Sequence, residues 1–495
     1  MARILRRPAR SPGGALALPG RWPHRYSLAA MAGDTHQDRE HFLSHRIGRW
    51  VEALSWDDVP EEVRDALRRF LLDSIGCAFG GWRTHDWRMV RDLVAEEGGT
   101  ARCHLFGEGD RVAPLQAAFL NALAVRALDY NDIYWKQDPS HPSDILSGPL
   151  AAAEMEGLGG REFLLGMLVG YEVEQRLCEA SHPGIRELGW HHATLTAFAA
   201  AYAAGKTLGL DADALQDAAG IAGSANCTLG AITAGHLTMM KNTGDPMATR
   251  AGLEAALLAR RGYSGPAHVF DGKEGLADVM DSEWDWSVFD DLGTDWRILQ
   301  CGMKFFPTEA LTHAPISCVI ALCEEHDLSA EDIAKIRIRT LTKAADILSD
   351  PSKYHPTTRE TADHSLPYCI VQGVFHRRVT PDLFEDQVVQ DPRVQEHIHK
   401  VEVVAEPEFE AAFPKVQRCH VVVETTDGRT CEKQVDWPKG DPRDPLSEAE
   451  IRAKFDAMAE GVSPERRERI WAEAARLAEL DDVSEFVKIC AADQG

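Results

Sequence analysis

Ala197-Phe198-Ala199-Ala200-Ala201-Tyr202-Ala203-Ala204 carries small side chains on every face of a helix, so several neighbours can pack against it at short range. The stretch predicts a central helix over residues 192–208, ending near Gly209. Around it, apolar residues recur at helical spacing. After Asp58-Val59-Pro60-Glu61-Glu62, where proline and acids suit a first turn, Val63, Leu67, Phe70, Leu71 and Ile75 follow, and Gly80-Gly81 stops them. Residues 112–128, 145–157, 161–179, 211–225 and 246–262 repeat this pattern.

From about residue 298 the pattern changes. Ile336-Arg337-Ile338-Arg339-Thr340 and Val401-Glu402-Val403 alternate apolar with polar, as half-buried strands do. His420-Val421-Val422-Val423-Glu424-Thr425 leads through Asp427-Gly428 into Cys431-Glu432-Lys433-Gln434-Val435, a hairpin signature, and all these strands are expected to be antiparallel. Helices are predicted over 308–326 and 363–376, and again over 446–460 and 464–478 beyond the turn-rich Pro438-Lys439-Gly440-Asp441-Pro442. The expected fold class is mainly α: a large all-helical domain (residues 41–298 plus 443–495) with an inserted smaller α+β lid domain (299–442). Pockets favour such boundaries, so the cleft between the two is the expected site.

A chain of 495 residues exceeds what one core usually organises. Apolar residues at 44% and charged residues at 26% are ordinary for a globular protein, and no apolar run approaches the roughly 20 residues of a membrane span. A net charge of -25 argues against nucleic acid or an anionic membrane as partner, since both are bound by clustered Lys and Arg. An anionic substrate must then meet Lys, Arg and His gathered locally. The eleven cysteines are scattered, and Cys318 and Cys323 lack a second pair to complete a zinc or iron–sulfur site; buried free thiols, with no metal and no cofactor, are expected.

In the first 31 residues Arg3, Arg6, Arg7, Arg10, Arg21 and Arg25 occur without an acid. This segment reads either as an organelle transit peptide or as an over-long reading frame starting in truth at Met31, with residues 1–40 disordered. The corresponding location is the cytoplasm, or an organelle matrix if the segment is a transit peptide.

Titratable groups cluster in a few places. Asp129-Tyr130-Asn131-Asp132 and His141-Pro142-Ser143-Asp144 lie on a predicted loop, where Asp, Asn and Ser serve equally well as caps and turns. Gly189-Trp190-His191-His192 opens the Ala-rich helix; adjacent helical histidines face different ways, so a metal pair is not expected, while one histidine beside the helix amides suits a carboxylate. Lys241-Asn242-Thr243-Gly244-Asp245-Pro246 reads as an anion cradle or an ordinary loop before a helix. Met303-Lys304-Phe305-Phe306-Pro307, His313 and Asp363-His364-Ser365-Leu366-Pro367-Tyr368 complete the set, with Asp363 or Ser365 able to cap a helix. No Gly-x-Gly-x-x-Gly and no phosphate-loop Lys-Ser/Thr pair is present, which leaves nucleotides without a home.

These clusters, in this order, resemble the MmgE/PrpD family over residues 42–480, a family that includes 2-methylcitrate dehydratase and cis-aconitate decarboxylase. The resemblance implies a helical domain with an inserted α+β lid, a homodimer, and a lyase acting on a small polycarboxylate. It places His141, Asp129 and Tyr368 as catalytic, and Lys241, Lys304, His192, Asp132, His313 and His364 as substrate-binding. The spacing from Asp129 to His141 is similar to the bacterial dehydratase branch and longer than in the decarboxylase branch, which implies dehydration of 2-methylcitrate or a related 2-hydroxy tricarboxylate. A decarboxylase or an epimerase would use the same kind of pocket, because all three reactions stabilise a carbanion beside a carboxylate. Ile133 departs from the family's frequent threonine; it is the one feature in the sequence that favours a non-catalytic polycarboxylate-binding protein instead.

Overall fold

The computed structural model describes residues 39–491, so the expectation for residues 1–40 falls almost wholly outside the described range. At its inner edge Arg39 is held, with Nη2 2.6 Å from Asp217 and Nε 2.8 Å from Gln216. The first part of the chain is built by α1 (Leu43–Ala53), α2 (Glu61–Gly81), α3 (His85–Glu97), α4 (Pro114–Arg126), α5 (Ser147–Glu156), α6 (Gly160–Ala180), α7 (Ala193–Thr207), α8 (Ala212–Ala225) and α9 (Met240–Ala259). The Ala-rich α7 is the hub. Residues 193–205 are all buried, and α7 packs against α6, α8 and α9 at once. At Gly252 of α9 an added Cβ would lie 2.5 Å from the Ala200 Cβ and 2.6 Å from its carbonyl carbon, which shows how closely the two backbones approach.

Helix α9 begins six residues before the predicted start, because it runs through Pro246 instead of opening at it. The proline removes the donor that would face the Asn242 carbonyl and crowds that carbonyl with its ring. In consequence Lys241 stands on the first turn of a helix and not in a loop.

A second unit follows, with α10 (His313–Glu325), α11 (Leu366–His376) and a four-stranded sheet. Three short strands at the site and four longer ones in the sheet matter here: β1 (Asp132–Trp135), β2 (Pro139–Ser140), β3 (Gly302–Met303), β4 (Ile333–Thr340), β5 (Val401–Ala405), β6 (Cys419–Thr425) and β7 (Thr430–Val435). The sheet order is β7–β6–β4–β5. The hairpin β6–β7 and the β6–β4 pair are antiparallel, but β5 runs parallel to β4, contrary to the expectation of antiparallel strands throughout. Alternation alone does not encode direction; the chain between β4 and β5, which contains α11, supplies the crossover that parallel pairing needs. Among the described residues two large apolar cores result, with a small third cluster of Cys77, Leu128, Tyr130 and Met458. One runs from Leu43 to Met303 and is completed by Leu446 to Cys490; the other spans Phe306 to Cys431. The fold is mainly α.

The final helices α12 (Glu448–Met458) and α13 (Pro464–Ala475) return to the first core. Among the described residues no helix is long and apolar enough to cross a membrane. All eleven cysteines are free thiols, and only Cys227 is exposed.

Replacing Gly252 by valine forces α7 and α9 apart. A loss of about 1–3 kcal/mol is expected, the range for overpacked cores, measured as a lower denaturation midpoint with unchanged far-UV circular dichroism. Unaltered stability would mean the crossing is looser than the Ala200 contact implies.

Candidate active site

Helix α4 carries no charge until Arg126, and apart from Gln116 and Asn121 its other residues are apolar. A buried guanidinium must find anions, and three residues on the chain turns through Asp129, which adopts φ 48°, a left-handed conformation that Asp tolerates. Arg126 Nη1 donates to Asp129 Oδ1, and Lys304 Nζ donates to the same oxygen. Lys241 Nζ is 3.4 Å from Oδ2 and 2.9 Å from Asp363 Oδ2. Burial works to raise the Asp129 carboxyl, but Arg126, Lys241, Lys304 and His364 together hold it well below the ordinary carboxylate value. A single carboxylate therefore gathers cations from α4, from α9 and from the segment joining the two units.

His141 lies near enough to this group for Arg126, Lys304 and Asp129 to act on its charge. The predicted loop carrying it is partly a sheet: β1 pairs with β2 and with β3, and this pairing holds residues 132–140 in place. The Asp132 carbonyl accepts from His141 Nδ1 at 2.7 Å. A carbonyl cannot donate, so Nδ1 carries the proton and Nε2 keeps its lone pair. Burial, then Arg126 and Lys304, push the imidazole well below its usual value, so it stays neutral and basic at its open nitrogen. The Asp132 side chain takes no part in this group. Its carboxylate accepts from the Ser143 amide (3.0 Å) and hydroxyl (2.7 Å), and burial raises it to about 6.

His192 stands before α7 with Nε2 3.3 Å from Asp245 Oδ2, and its ring meets that of His141 at 5.4 Å between centroids. Its neighbour His191 packs beside it at 4.0 Å, which corrects the expectation that the pair face apart. Both residues precede the helix; His192 already has helical angles (φ -59°, ψ -22°), but the Trp190–Leu229 bridge and the bond from His191 N to Thr228 O set the direction of His191, so the pair does not follow helical spacing.

From the second unit come Asp363 and His364, with His364 Nδ1 2.7 Å from Asp363 Oδ1 and 4.0 Å from Asp129 Oδ2. Ser365 is the residue that caps α11, accepting from Tyr368 N at 3.1 Å, which leaves Asp363 to pair with Lys241. His313 reaches the Thr308 carbonyl through Nε2 at 3.3 Å. The second unit does not bring Tyr368 to the cluster. Its hydroxyl donates to the Leu383 carbonyl and accepts from Gln372 Nε2 at 2.6 Å, inside that unit's own core. His364 lies just before α11 and Tyr368 in its first turn.

Sequence reasoning passed over Arg126, Asp245 and Asp363 as site residues. Arg126 had a legible signal, a lone charge ending an apolar helix; Asp245 and Asp363 lie next to Pro246 and Ser365 and read as turn and cap chemistry.

A cleft of about 340 Å³ between the two units is lined by Lys304, His313, Ile133, Phe413 and Lys415 among others, and so opens onto the cluster. A groove of about 910 Å³ elsewhere on the boundary mixes Arg83, Arg359 and Arg378 with Glu360, Asp382 and Asp456 and contains none of the cluster's residues. Two buried groupings have ligand atoms close enough for a metal ion, His191–His192–Asp245 and Asp129–Asp363–His364. In the second, ammonium groups already sit on the carboxylate oxygens, and in the first Arg126 Nε stands 4.0 Å from Asp245 Oδ2.

A helical body, an inserted α+β unit and a buried cluster of cations and neutral histidines at their boundary define a protein equipped for acid–base handling of anions. The chain belongs to the MmgE/PrpD family: residues 45–288 match its N-terminal domain and residues 306–480 its C-terminal domain. It is 29% identical to the cis-aconitate decarboxylase-like protein oryM of Aspergillus oryzae over 481 residues, covering 90% of this chain and 97% of that protein. Human cis-aconitate decarboxylase is 27% identical, with 83% of this chain and 86% of that protein covered. The mitochondrial 2-methylcitrate dehydratase of Yarrowia lipolytica is 26% identical, with 86% of each covered.

Burial, followed by the charge of a neighbouring lysine, pushes His313 down to about 3 and His364 down to about 4. Unfolded, both titrate near pH 6.5. As pH falls below that value the unfolded chain binds protons that the folded chain still refuses, so their share of stability is complete above pH 6.5 and is lost towards pH 4 to 3. The expected slope is up to about 1.4 kcal/mol per pH unit for each histidine. Melting temperature against pH should fall steeply below 6.5 in the wild type and less steeply in His313→Asn; equal slopes would contradict the assignment.

Proposed function

We propose that this protein is a lyase acting on a small polycarboxylate, and that its reaction is the dehydration of 2-methylcitrate or a related 2-hydroxy tricarboxylate by acid–base groups of the chain itself. The observation that carries the reading is His141, whose Nδ1 is locked on a backbone carbonyl so that a neutral, basic Nε2 is presented beside buried cations.

Dehydration removes a carbon-bound proton next to a carboxylate while a hydroxyl leaves the neighbouring carbon. His141 Nε2 takes the proton. Negative charge then grows on the adjacent carboxylate, opposed by Lys241 and Lys304, which are fixed in place before the reaction begins. The leaving hydroxyl needs a proton. Asp129, held ionised by its cations, is a poor donor, and Tyr368 is engaged elsewhere. Lys304 suits the task, since burial and the nearby Arg126 lower its value from that of an ordinary lysine. His192, His313 and His364 hold the remaining carboxylates. The cationic cleft offsets, over a few ångströms, the repulsion of a protein with net charge -25.

Decarboxylation is the second reading, favoured by the relatives named cis-aconitate decarboxylase. The same cations would stabilise the carbanion left by loss of carbon dioxide. Ile133 lines the cleft, and an apolar side chain there offers a substrate no hydrogen bond, which is the feature that favours a non-catalytic polycarboxylate-binding protein. We assign the protein a homodimeric state and a cytoplasmic place, to be checked by sedimentation and by cell fractionation.

Incubation with 2-methylcitrate, citrate and cis-aconitate, with products identified by NMR, separates the reactions; loss of water from a hydroxy acid supports the first and itaconate-type products the second. His141→Ala should lower kcat by about 10²–10⁴, the usual contribution of a general base. Tyr368→Phe should leave kcat within about twofold and cost about 1–3 kcal/mol of stability, because the Leu383 carbonyl and the Gln372 amide both lose a buried partner. Loss of turnover in Tyr368→Phe comparable to His141→Ala would restore the tyrosine to the mechanism.

A further inference from the structure

Beneath the cluster lies a carboxyl group that the mechanism above does not use. Glu174, on α6, is fully buried. Its Oε1 is hydrogen-bonded to Thr196 Oγ1, while its Oε2 has no partner. Thr196 Oγ1 is also 2.9 Å from Asp245 Oδ1. A hydroxyl has one hydrogen, and here carboxyl oxygens stand on two sides of it. If both acids were ionised, one contact would set a lone pair against a lone pair in a site without water to relieve it. One of the two must therefore carry a proton and donate it to Oγ1.

The surroundings decide which. Asp245 has His192 Nε2 at 3.3 Å and Arg126 Nε at 4.0 Å from its other oxygen, and these hold it ionised. Glu174 faces no cation. The titratable groups around it are Asp245 from α9, Asp132 from β1, Asp144 before α5, Cys178 on its own helix and Cys301 before β3, all acids or thiols. Burial first, then Asp245 and Asp132, raise it well above the ordinary carboxylate value.

We infer that Glu174 is a permanently neutral carboxylic acid that fixes a directed hydrogen-bond chain, from Glu174 to Thr196 to the ionised Asp245, and that this chain fixes the carboxylate that stands 3.3 Å from His192 Nε2. Glu174 is thus a positioning residue for the imidazole that meets His141. The role in turnover rests on the proposed lyase reading; the protonation itself does not. Without the acid hydrogen, the Thr196 hydrogen is drawn away from Asp245, whose charge then loses one of its partners.

Infrared difference spectroscopy of the whole protein at neutral pH tests the protonation. Subtracting Glu174→Gln from wild type should leave one carboxylic-acid carbonyl band, shifted in heavy water. A carboxylate band in its place overturns the inference, whatever the enzyme's substrate. Should Glu174→Gln fail to fold, Thr196→Val serves, because removing the hydroxyl that accepts the acid's hydrogen should move the same band; a spectrum with no such movement is equally fatal. For the positioning role, glutamine can still donate to Thr196, so Glu174→Gln should keep kcat within about twofold and its pH profile. Thr196→Val should lower kcat about tenfold, as expected when a charged group loses one hydrogen bond, with KM unchanged and the pH profile displaced. A loss in Glu174→Gln as large as in Thr196→Val, or no loss in either, overturns the role and leaves the protonation result standing.

Discussion

One buried carboxylate, that of Asp129, holds the centre of this molecule together. Arg126, Lys241 and Lys304 converge on it from three separate parts of the chain, and none of the three charges has access to water. Burying an isolated cation costs many kcal/mol, so each is tolerable only because Asp129 and the carboxylates beside it, Asp144, Asp245 and Asp363, are in place to offset both that cost and the repulsion among the cations. The arrangement is all-or-none, which makes the position of Lys304 at the start of the second unit a matter of charge as well as of packing.

The same economy of charge continues outward. Lys241 links Asp129 to Asp363, and Asp363 fixes His364, so the second unit is tied to the body through ion pairs and not through a shared apolar core. From the far end of the chain Lys454 of α12 donates to the carbonyls of Tyr130 and Lys304, and to Asp73 at 2.7 Å. It clamps the two segments that carry Asp129 and Lys304. Such a centre is set before any ligand arrives, which is the condition under which fixed charges lower a barrier most. A polycarboxylate entering the cleft offers the lysines anions in exchange for those they already hold.

Much of the fold was legible in the sequence because helical spacing and small side chains constrain neighbours directly. Helix α7 is read from its alanines, and α4, α5, α6 and α8 fall within a few residues of their predicted limits. The site was half legible. Asp129, His141, Lys241 and Lys304 were singled out and do come together, whereas Tyr368, close to His364 in sequence, points into the second core. His364 precedes α11 and Ser365 between them is extended, so the helical rule that would place residues four apart on one face does not link the two. The strand Asp132–Trp135 read as a loop because its partner, Gly302–Met303, is two residues long and lies far along the chain.

Local composition, then, determined by itself the helices, the sheet-bearing insert and the kinds of side chain available for chemistry, since each depends on residues a few positions apart. Only the tertiary structure decided the parallel pairing of Val401–Ala405, which proton His141 carries, and which of two acids at Thr196 is neutral. Those choices are made by groups remote in sequence, through hydrogen bonds and charges that act over a few ångströms and exist only once the chain has brought them to that distance.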